Sequence, residues 1–298
     1  MAPRNAADGV WIMRLLAFGI GYSVAAYLHA HARDWARVAG TVRSSAKAGR
    51  LEREIGGLTA YVFDGGGKDS QIEAEIARAD ALLVSTPAHG GDPALRVYRD
   101  AIGASNISRI VYLSTLGVYG DAAGGWVDET TPVDPAVTRG EARVAAERGW
   151  RDLATGARRV FVLRLAGIYG PGRNAIANLR DGSARRIVKP GQVFNRIHVD
   201  DISRAIAVCM ATDRAGGVVN VCDDEPAPPQ DVIAYAADLI GVEAPPEIPF
   251  EQARLSPMAA TFWATCKRVS NRKLREELGV ELAYPTFREG LAALLPNG

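Results

Sequence analysis

The sequence predicts an α/β fold, a doubly wound parallel sheet with a smaller C-terminal lobe, and three observations carry that prediction. Residues 13–44 read as strand, glycine turn, helix and second strand. Apolar runs at 58–63, 81–85, 109–114, 160–165 and 218–221 then alternate with amphipathic stretches of helical length, the pattern of parallel strands joined by helical crossovers. The last third changes texture, with proline-rich turns at 225–229 and 244–249 separating a helix at 229–240 from a final helical tract at 271–278. No internal repeat, low-complexity tract or long linker divides the chain, so the two lobes are expected to share one compact unit.

The first unit is the most specific. Residues 15–19 are a short apolar run suited to a buried parallel strand. Gly19 and Gly21 then let the chain turn tightly, where bare backbone N–H groups can approach a pyrophosphate. A helix beginning at Tyr22 aims its positive end at the same place, with Tyr22 and Ser23 in its first turn. This is the arrangement of a dinucleotide-binding Rossmann βαβ unit. Val24 stands where a G-x-G-x-x-G fingerprint has its third glycine, with Ala25 next. The close helix-to-strand contact is therefore expected to be lost there or displaced by one position.

The second strand, 38–42, ends in Arg43, Ser44 and Ser45. A site for NAD(H) offers a carboxylate to the ribose hydroxyls about twenty residues beyond the glycines. A guanidinium pairs with a 2′-phosphate through two parallel hydrogen bonds, whereas a carboxylate repels it, so NADP(H) is favoured over NAD(H). Arg14, the apolar stretch 15–28 and Ala30-His31-Ala32 imitate a secretory signal. The two glycines and Ser23 interrupt its apolar core, and cleavage would strand the second strand. Residues 1–12 show no periodicity and are expected to be a flexible extension. Residues 13–170 are expected to form the dinucleotide-binding domain and 171–298 mainly a substrate lobe, with 200–222 returning to the core.

Composition narrows the class. The 298 residues are 48% hydrophobic without an uninterrupted apolar span of membrane length. A net charge of +1 argues against a nucleic-acid binder. Cys209, Cys222 and Cys266 are widely spaced and form no CxxC pair, so they read as thiols of a reducing, cytoplasmic compartment. His29, His31, His89 and His198 have no cysteine or acid at ligand spacing, so no metal is expected.

In a doubly wound sheet functional groups collect at the carboxyl ends of strands. Asp64, Thr86, Ser114 and Thr115 stand at such ends. Asp64 is placed to accept from an adenine amine and Thr86 to line the adenosine side, although both are also ordinary turn formers.

Three ordered motifs follow: Tyr112-Leu113-Ser114-Thr115-Leu116-Gly117-Val118-Tyr119-Gly120, Leu163-Arg164-Leu165-Ala166-Gly167-Ile168-Tyr169-Gly170-Pro171-Gly172-Arg173, and Arg196-Ile197-His198-Val199-Asp200-Asp201. With them the chain, from Met13 onward, resembles the extended short-chain dehydrogenase/reductases, in their NAD(P)-dependent epimerase/dehydratase branch. The resemblance implies that Thr115, preceded by Ser114, hydrogen-bonds the substrate oxygen that gains or loses a proton as hydride moves. It implies that Arg196 and His198 lie near a substrate's phosphates or sugar, and that Arg173 contacts an anion. Asp200 and Asp201 read as caps of the helix that follows.

The family's YxxxK pair is absent. Arg139 and Arg143 occupy those positions, and an arginine that stays protonated cannot shuttle a proton as a phenol does. Arg143 can still offer charge and hydrogen bonds to a nicotinamide ribose, with a different geometry from lysine. Tyr119 becomes the first substitute acid/base, four residues past Thr115 on the same loop. Tyr169 is second, and His198 is a proton carrier by its chemistry.

Two functions remain open at this level: an NADP(H)-dependent oxidoreductase or epimerase acting on a small carbonyl, alcohol or nucleotide sugar, and a catalytically weak NAD(P)-binding sensor that has lost the proton relay. The substrate is a small molecule whose identity depends on the later lobe. The resemblance also implies a homodimer paired through helices at 93–102 and 139–154.

Overall fold

The computed structural model describes residues 11–88, 90–135 and 138–295, without the side chains of residues 11, 12, 138 and 139. Seven strands form one parallel sheet: β1 Trp11–Phe18, β2 Trp35–Val42, β3 Leu58–Val62, β4 Ala81–Val84, β5 Arg109–Thr115, β6 Arg159–Leu165 and β7 Gly217–Val221. Their spatial order is β7-β6-β5-β4-β1-β2-β3, all pairs parallel. The order reverses between β1 and β4, the switch point at which such sheets open a crevice for ligands. Strand β1 begins at Trp11, which pairs with Trp35 of β2, so Trp11 and Ile12, the last two residues of the expected extension, belong to the strand; residues 1–10 lie outside the described residues.

Helices α1 Tyr22–His31 and α2 Ser45–Glu54 cover one face, with α7 Val199–Ala211 packed on α1. Helices α3 Ser70–Arg78, α4 Pro93–Ala104 and α5 Thr138–Arg151 cover the other. The strands explain this directly. Along β1, Leu15 and Ala17 enter the core under α1 and α7, while Leu16 and Phe18 enter the core under α3 and α4. A period of two with both faces apolar is what a central parallel strand requires.

The smaller lobe is built from α6 Ala175–Arg180, α8 Pro229–Leu239, α9 Pro257–Trp263 and α10 Phe287–Ala292. Tyr169, Ile176, Val232, Ala236, Phe287 and Leu291 form its own core. Two-residue and three-residue ribbons stitch it to the sheet: Gly167–Tyr169 with Arg196–His198, Arg186–Val188 with Glu247–Pro249, and Trp126–Val127 with Arg268–Val269. The tract expected to be helical at 271–278 reduces to one wide turn, Lys273–Glu277, which Leu278 closes by donating to Lys273 O at 3.1 Å. Helix α7 is capped by His198, whose Nδ1 accepts from the Asp200 N–H. Asp201 is not a cap: its carboxylate accepts from the N–H groups of Ala283 at 2.6 Å and Tyr284 at 3.1 Å, tying down the chain before α10.

Candidate active site

The turn after β1 is held from the second strand. Gly19 N–H donates to Thr41 Oγ1 at 2.9 Å and Ile20 N–H to Thr41 O at 2.8 Å. Gly19 has φ of 81°, and a Cβ there would stand 3.1 Å from Ser85 O, so both conformation and space require glycine. Gly21 caps α1, and a Cβ on it would meet nothing within 4 Å. Bare backbone with open space in front of the N–H groups of the first turn, which have no intrahelical acceptors, fits a pyrophosphate. Val24, in the place of the third glycine, is fully buried. The close approach has moved to β2, where Gly40 leaves Ile20 Cδ1 only 2.6 Å from the position a Cβ would take.

Tyr22 leans from α1 to the smaller lobe and donates to Pro171 O at 3.0 Å. Burial raises its pKa and the charge of Arg173 opposes that shift, so the exposed Arg173 guanidinium stands beside the start of α1. Arg173, expected at an anion, stands near Tyr22 at the N-terminal end of α1. Ser23 is buried in the first turn.

At the end of β2, Arg43 is exposed and Ser44 caps α2, its Oγ accepting from the Lys47 N–H at 3.4 Å. Burial, then the charges of Arg50 and Arg43, lower the pKa of Lys47, so three cations face one region. Arg50 has Glu54 as a partner at 3.9 Å. Neither Arg43 nor Lys47 has an ion pair among the described residues. Lys47 is absent from the sequence reading, and its signal was a second cation one helical turn past the ribose position.

Asp64 Oδ1 accepts from the Gly66 N–H at 2.8 Å, an ordinary turn. Thr86 is buried, and its hydroxyl donates to Asp92 Oδ2 at 2.9 Å. Asp92 in turn caps α4 through the Ala94 and Leu95 N–H groups, and burial raises its pKa. The Thr86 hydroxyl is thereby engaged in fastening α4.

Beyond β5 the hydroxyls separate. Ser114 is buried and donates to Glu147 Oε1. Glu147 also takes both Nε and Nη2 of Arg164, with Nη2 to Oε2 at 2.8 Å. Ser114 therefore anchors β5 to α5 through Glu147. Thr115 is half-buried, and its Oγ1 accepts from the Gly117 N–H at 3.1 Å, which leaves its own hydroxyl proton to donate. Tyr119 is 2% exposed, its hydroxyl donates to Asn220 Oδ1 at 2.9 Å, and Arg164 lies over its ring at 4.8 Å. Burial raises its pKa. The expected proton carrier is a packing residue whose hydroxyl is spent inside the core.

Arg143 reaches inward from α5, Nη1 donating to Tyr112 Oη at 2.7 Å, Thr86 O at 3.2 Å and Leu113 O at 3.4 Å. It thus bridges the carboxyl ends of β4 and β5. The Arg139 side chain lies outside the described residues. In the smaller lobe, Arg196 gives Nη1 to Phe194 O at 3.0 Å and Ala227 O at 3.1 Å. His198 is 1% exposed between Tyr169 and Tyr284, and burial lowers its pKa. Tyr169, the second phenol, is buried with its hydroxyl toward Thr286 O, and burial raises its pKa. All three pack inside the smaller lobe, Arg196 and Tyr169 on backbone carbonyls and His198 between two tyrosine rings.

A switch-point crevice, an open glycine turn at a helix N-terminus and a strand-end threonine define a nicotinamide-dinucleotide-binding protein of the extended short-chain dehydrogenase/reductase type. The chain belongs to the NAD dependent epimerase/dehydratase family, whose model matches residues 66–222. It is similar to protein YeeZ of Escherichia coli K12, with 31% identity over 239 residues covering 73% of this chain and 76% of that one. A 3-diazoavenalumate denitrifying reductase from a Streptomyces species is 30% identical over 264 residues, 84% of this chain and 82% of the reductase. Among solved structures, a functionally unknown conserved protein from Silicibacter pomeroyi is 45% identical, with a TM-score of 0.84 over 95% of this chain and 98% of that one. No helix among the described residues is long and apolar enough to cross a membrane.

Proposed function

We propose that the protein is an NADP(H)-dependent oxidoreductase that reduces or oxidises a small carbonyl or alcohol substrate. The observation that carries the cofactor preference is the pair Arg43, just past β2, and Lys47, in the first turn of α2, with no carboxylate in the place of a ribose-binding acid. The bound nicotinamide supplies or accepts the hydride. The chain's own work is positional and electrostatic. The first turn of α1 and Arg173 hold the phosphates, Arg143 supplies fixed positive charge at the strand ends, and the Thr115 hydroxyl donates to the substrate oxygen and favours charge developing there, while the proton that accompanies the hydride is exchanged with water. The curated reductase relative supports a redox reaction over a structural role.

The test is a fluorescence titration with NADPH and NADH side by side, repeated with Arg43→Ala. NADPH is expected to bind more tightly, and the variant to lose about 10- to 100-fold of that affinity, the worth of one charge-assisted phosphate contact. Equal affinity for both nucleotides, unchanged by Arg43→Ala, overturns the NADP(H) preference. Binding of neither overturns the enzyme reading.

A second reading is favoured by one observation: Ser114 and Tyr119 both spend their hydroxyls internally, and arginine holds both positions of the proton relay. On this reading the protein binds NAD(P) as a sensor without turnover. Catalysed NADPH consumption that Thr115→Ala abolishes excludes the sensor.

A further inference from the structure

Two lysines of the smaller lobe, Lys189 and Lys267, act on Asp121 at the end of the loop that begins at Thr115, and no motif marks either of them. Lys267 is 9% exposed, and its Nζ donates to Gly120 O at 2.9 Å and Thr265 Oγ1 at 3.0 Å. Gly120 closes the loop that leaves β5 through Thr115. Lys189 is half-buried, its Nζ donating to Trp263 O at 2.6 Å and standing 5.0 Å above the Phe250 ring. Phe250 packs on Trp263, and Trp263 meets Phe194 edge-on, with centroids 5.4 and 5.1 Å apart.

Neither lysine forms an ion pair among the described residues. Their partners are backbone carbonyls and one hydroxyl, so each ammonium keeps both its charge and an N–H to give. The carboxylate that acts on both is Asp121. Hydrogen bonds from the Cys266 and Ala123 N–H groups, then the charges of Lys267 and Lys189, hold its carboxyl below the usual range. Asp121 is engaged at 2.6 Å by Cys266 N–H, so it stays where it is. Two cations against one fixed carboxylate leave a single positive charge, and burial already lowers the pKa of Lys267. An isolated charge at such a site is costly until a counter-charge arrives.

We infer that Lys189 and Lys267 form the acid-binding end of the substrate pocket, and that the substrate is an organic monocarboxylate whose flat apolar body lies against Phe250 and Phe194. A single net positive charge matches one carboxylate, whereas a nucleoside diphosphate brings at least two negative charges. The arginine expected to meet a diphosphate, Arg196, gives Nη1 to Phe194 O and Ala227 O and already has the carboxylates of Asp223 and Glu225 acting on its charge. The inference rests on the proposed oxidoreductase reading, because it orients a substrate toward Thr115.

The test is calorimetric titration of the protein, with and without NADPH, using benzoate and trans-cinnamate, their neutral amides, and uridine diphosphate. Wild type is expected to bind at least one acid and to bind the matching amide about tenfold or more weakly. Lys189→Gln is expected to weaken the acid about tenfold or more and Lys267→Gln to abolish it, while both variants keep the wild-type affinity for NADPH. Lys189 is half-buried, so its variant remains informative where Lys267→Gln unfolds. The inference is overturned if amide and acid bind alike, if Lys189→Gln binds the acid as wild type does, if uridine diphosphate binds and both acids fail, or if nothing binds. Acid binding without any NADPH binding supports the inference and overturns the cofactor reading.

Discussion

Glu147 on α5 and Arg164 on β6 form a buried bidentate pair, with Nη2 to Oε2 at 2.8 Å and neither side chain more than 6% exposed. Glu147 lies one helical turn beyond Arg143 and also takes the hydroxyl of Ser114, the neighbour of Thr115. One carboxylate therefore fixes the helix that carries Arg143 against the strand that carries Thr115. Glu147→Ala leaves a buried guanidinium without its counter-charge and is expected to cost about 3–5 kcal/mol of stability. Urea unfolding checks this; a loss below 1 kcal/mol, on the order of an exposed pair, would show that the pair does not clamp the two elements.

Tyr119→Phe separates packing from catalysis. The ring stays, but Asn220 Oδ1 loses the hydroxyl that it accepts from in the core. The expected loss is about 1–2 kcal/mol of stability, with NADPH affinity and turnover at substrate saturation unchanged. A turnover that collapses while the melting temperature holds would restore Tyr119 as the proton carrier.

Much of the fold was legible because it is local. The seven apolar runs could be read as strands because a buried parallel strand is apolar on both faces, as Leu15 to Phe18 show. The glycine turn was legible for the same reason, since Gly19 must take a positive φ whatever surrounds it. The hydroxyl groups were not. Ser114 is claimed by Glu147, 33 residues away, and Tyr119 by Asn220, 101 residues away. No spacing rule records such a partner, and the same holds for Lys267 and Gly120, 147 residues apart.

Gly19 and Gly21 predict opposite phenotypes. Gly19→Ala forces a left-handed conformation on alanine, about 1–2 kcal/mol, and presses a methyl against the Ser85 carbonyl. It is expected to lower the melting temperature. Gly21 has φ of −93° and open space before it, so Gly21→Ala is expected to fold as wild type does. Its methyl then occupies the space of the pyrophosphate, and NADPH affinity is expected to fall at least about tenfold. Unchanged affinity in Gly21→Ala would place the cofactor elsewhere.

Asp223 gives stability a pH dependence of unusual sign. Burial pushes its carboxyl up to about 8, opposed by the nearby Arg196, and its Oδ2 has no hydrogen-bond partner among the described residues. Between the ordinary carboxylate value of about 4 and about 8, the folded protein holds a proton that the unfolded chain has released. The folded state binds more protons there, so this group's contribution to stability falls as pH rises, by at most about 1.4 kcal/mol per pH unit, and levels off above the folded value. Asp223→Asn is expected to flatten that decline, and to be more stable than wild type at the alkaline end of the range. Melting temperatures of both proteins from pH 5 to pH 9 check it. Parallel curves would mean that Asp223 is already ionised in the folded state and paired with Arg196.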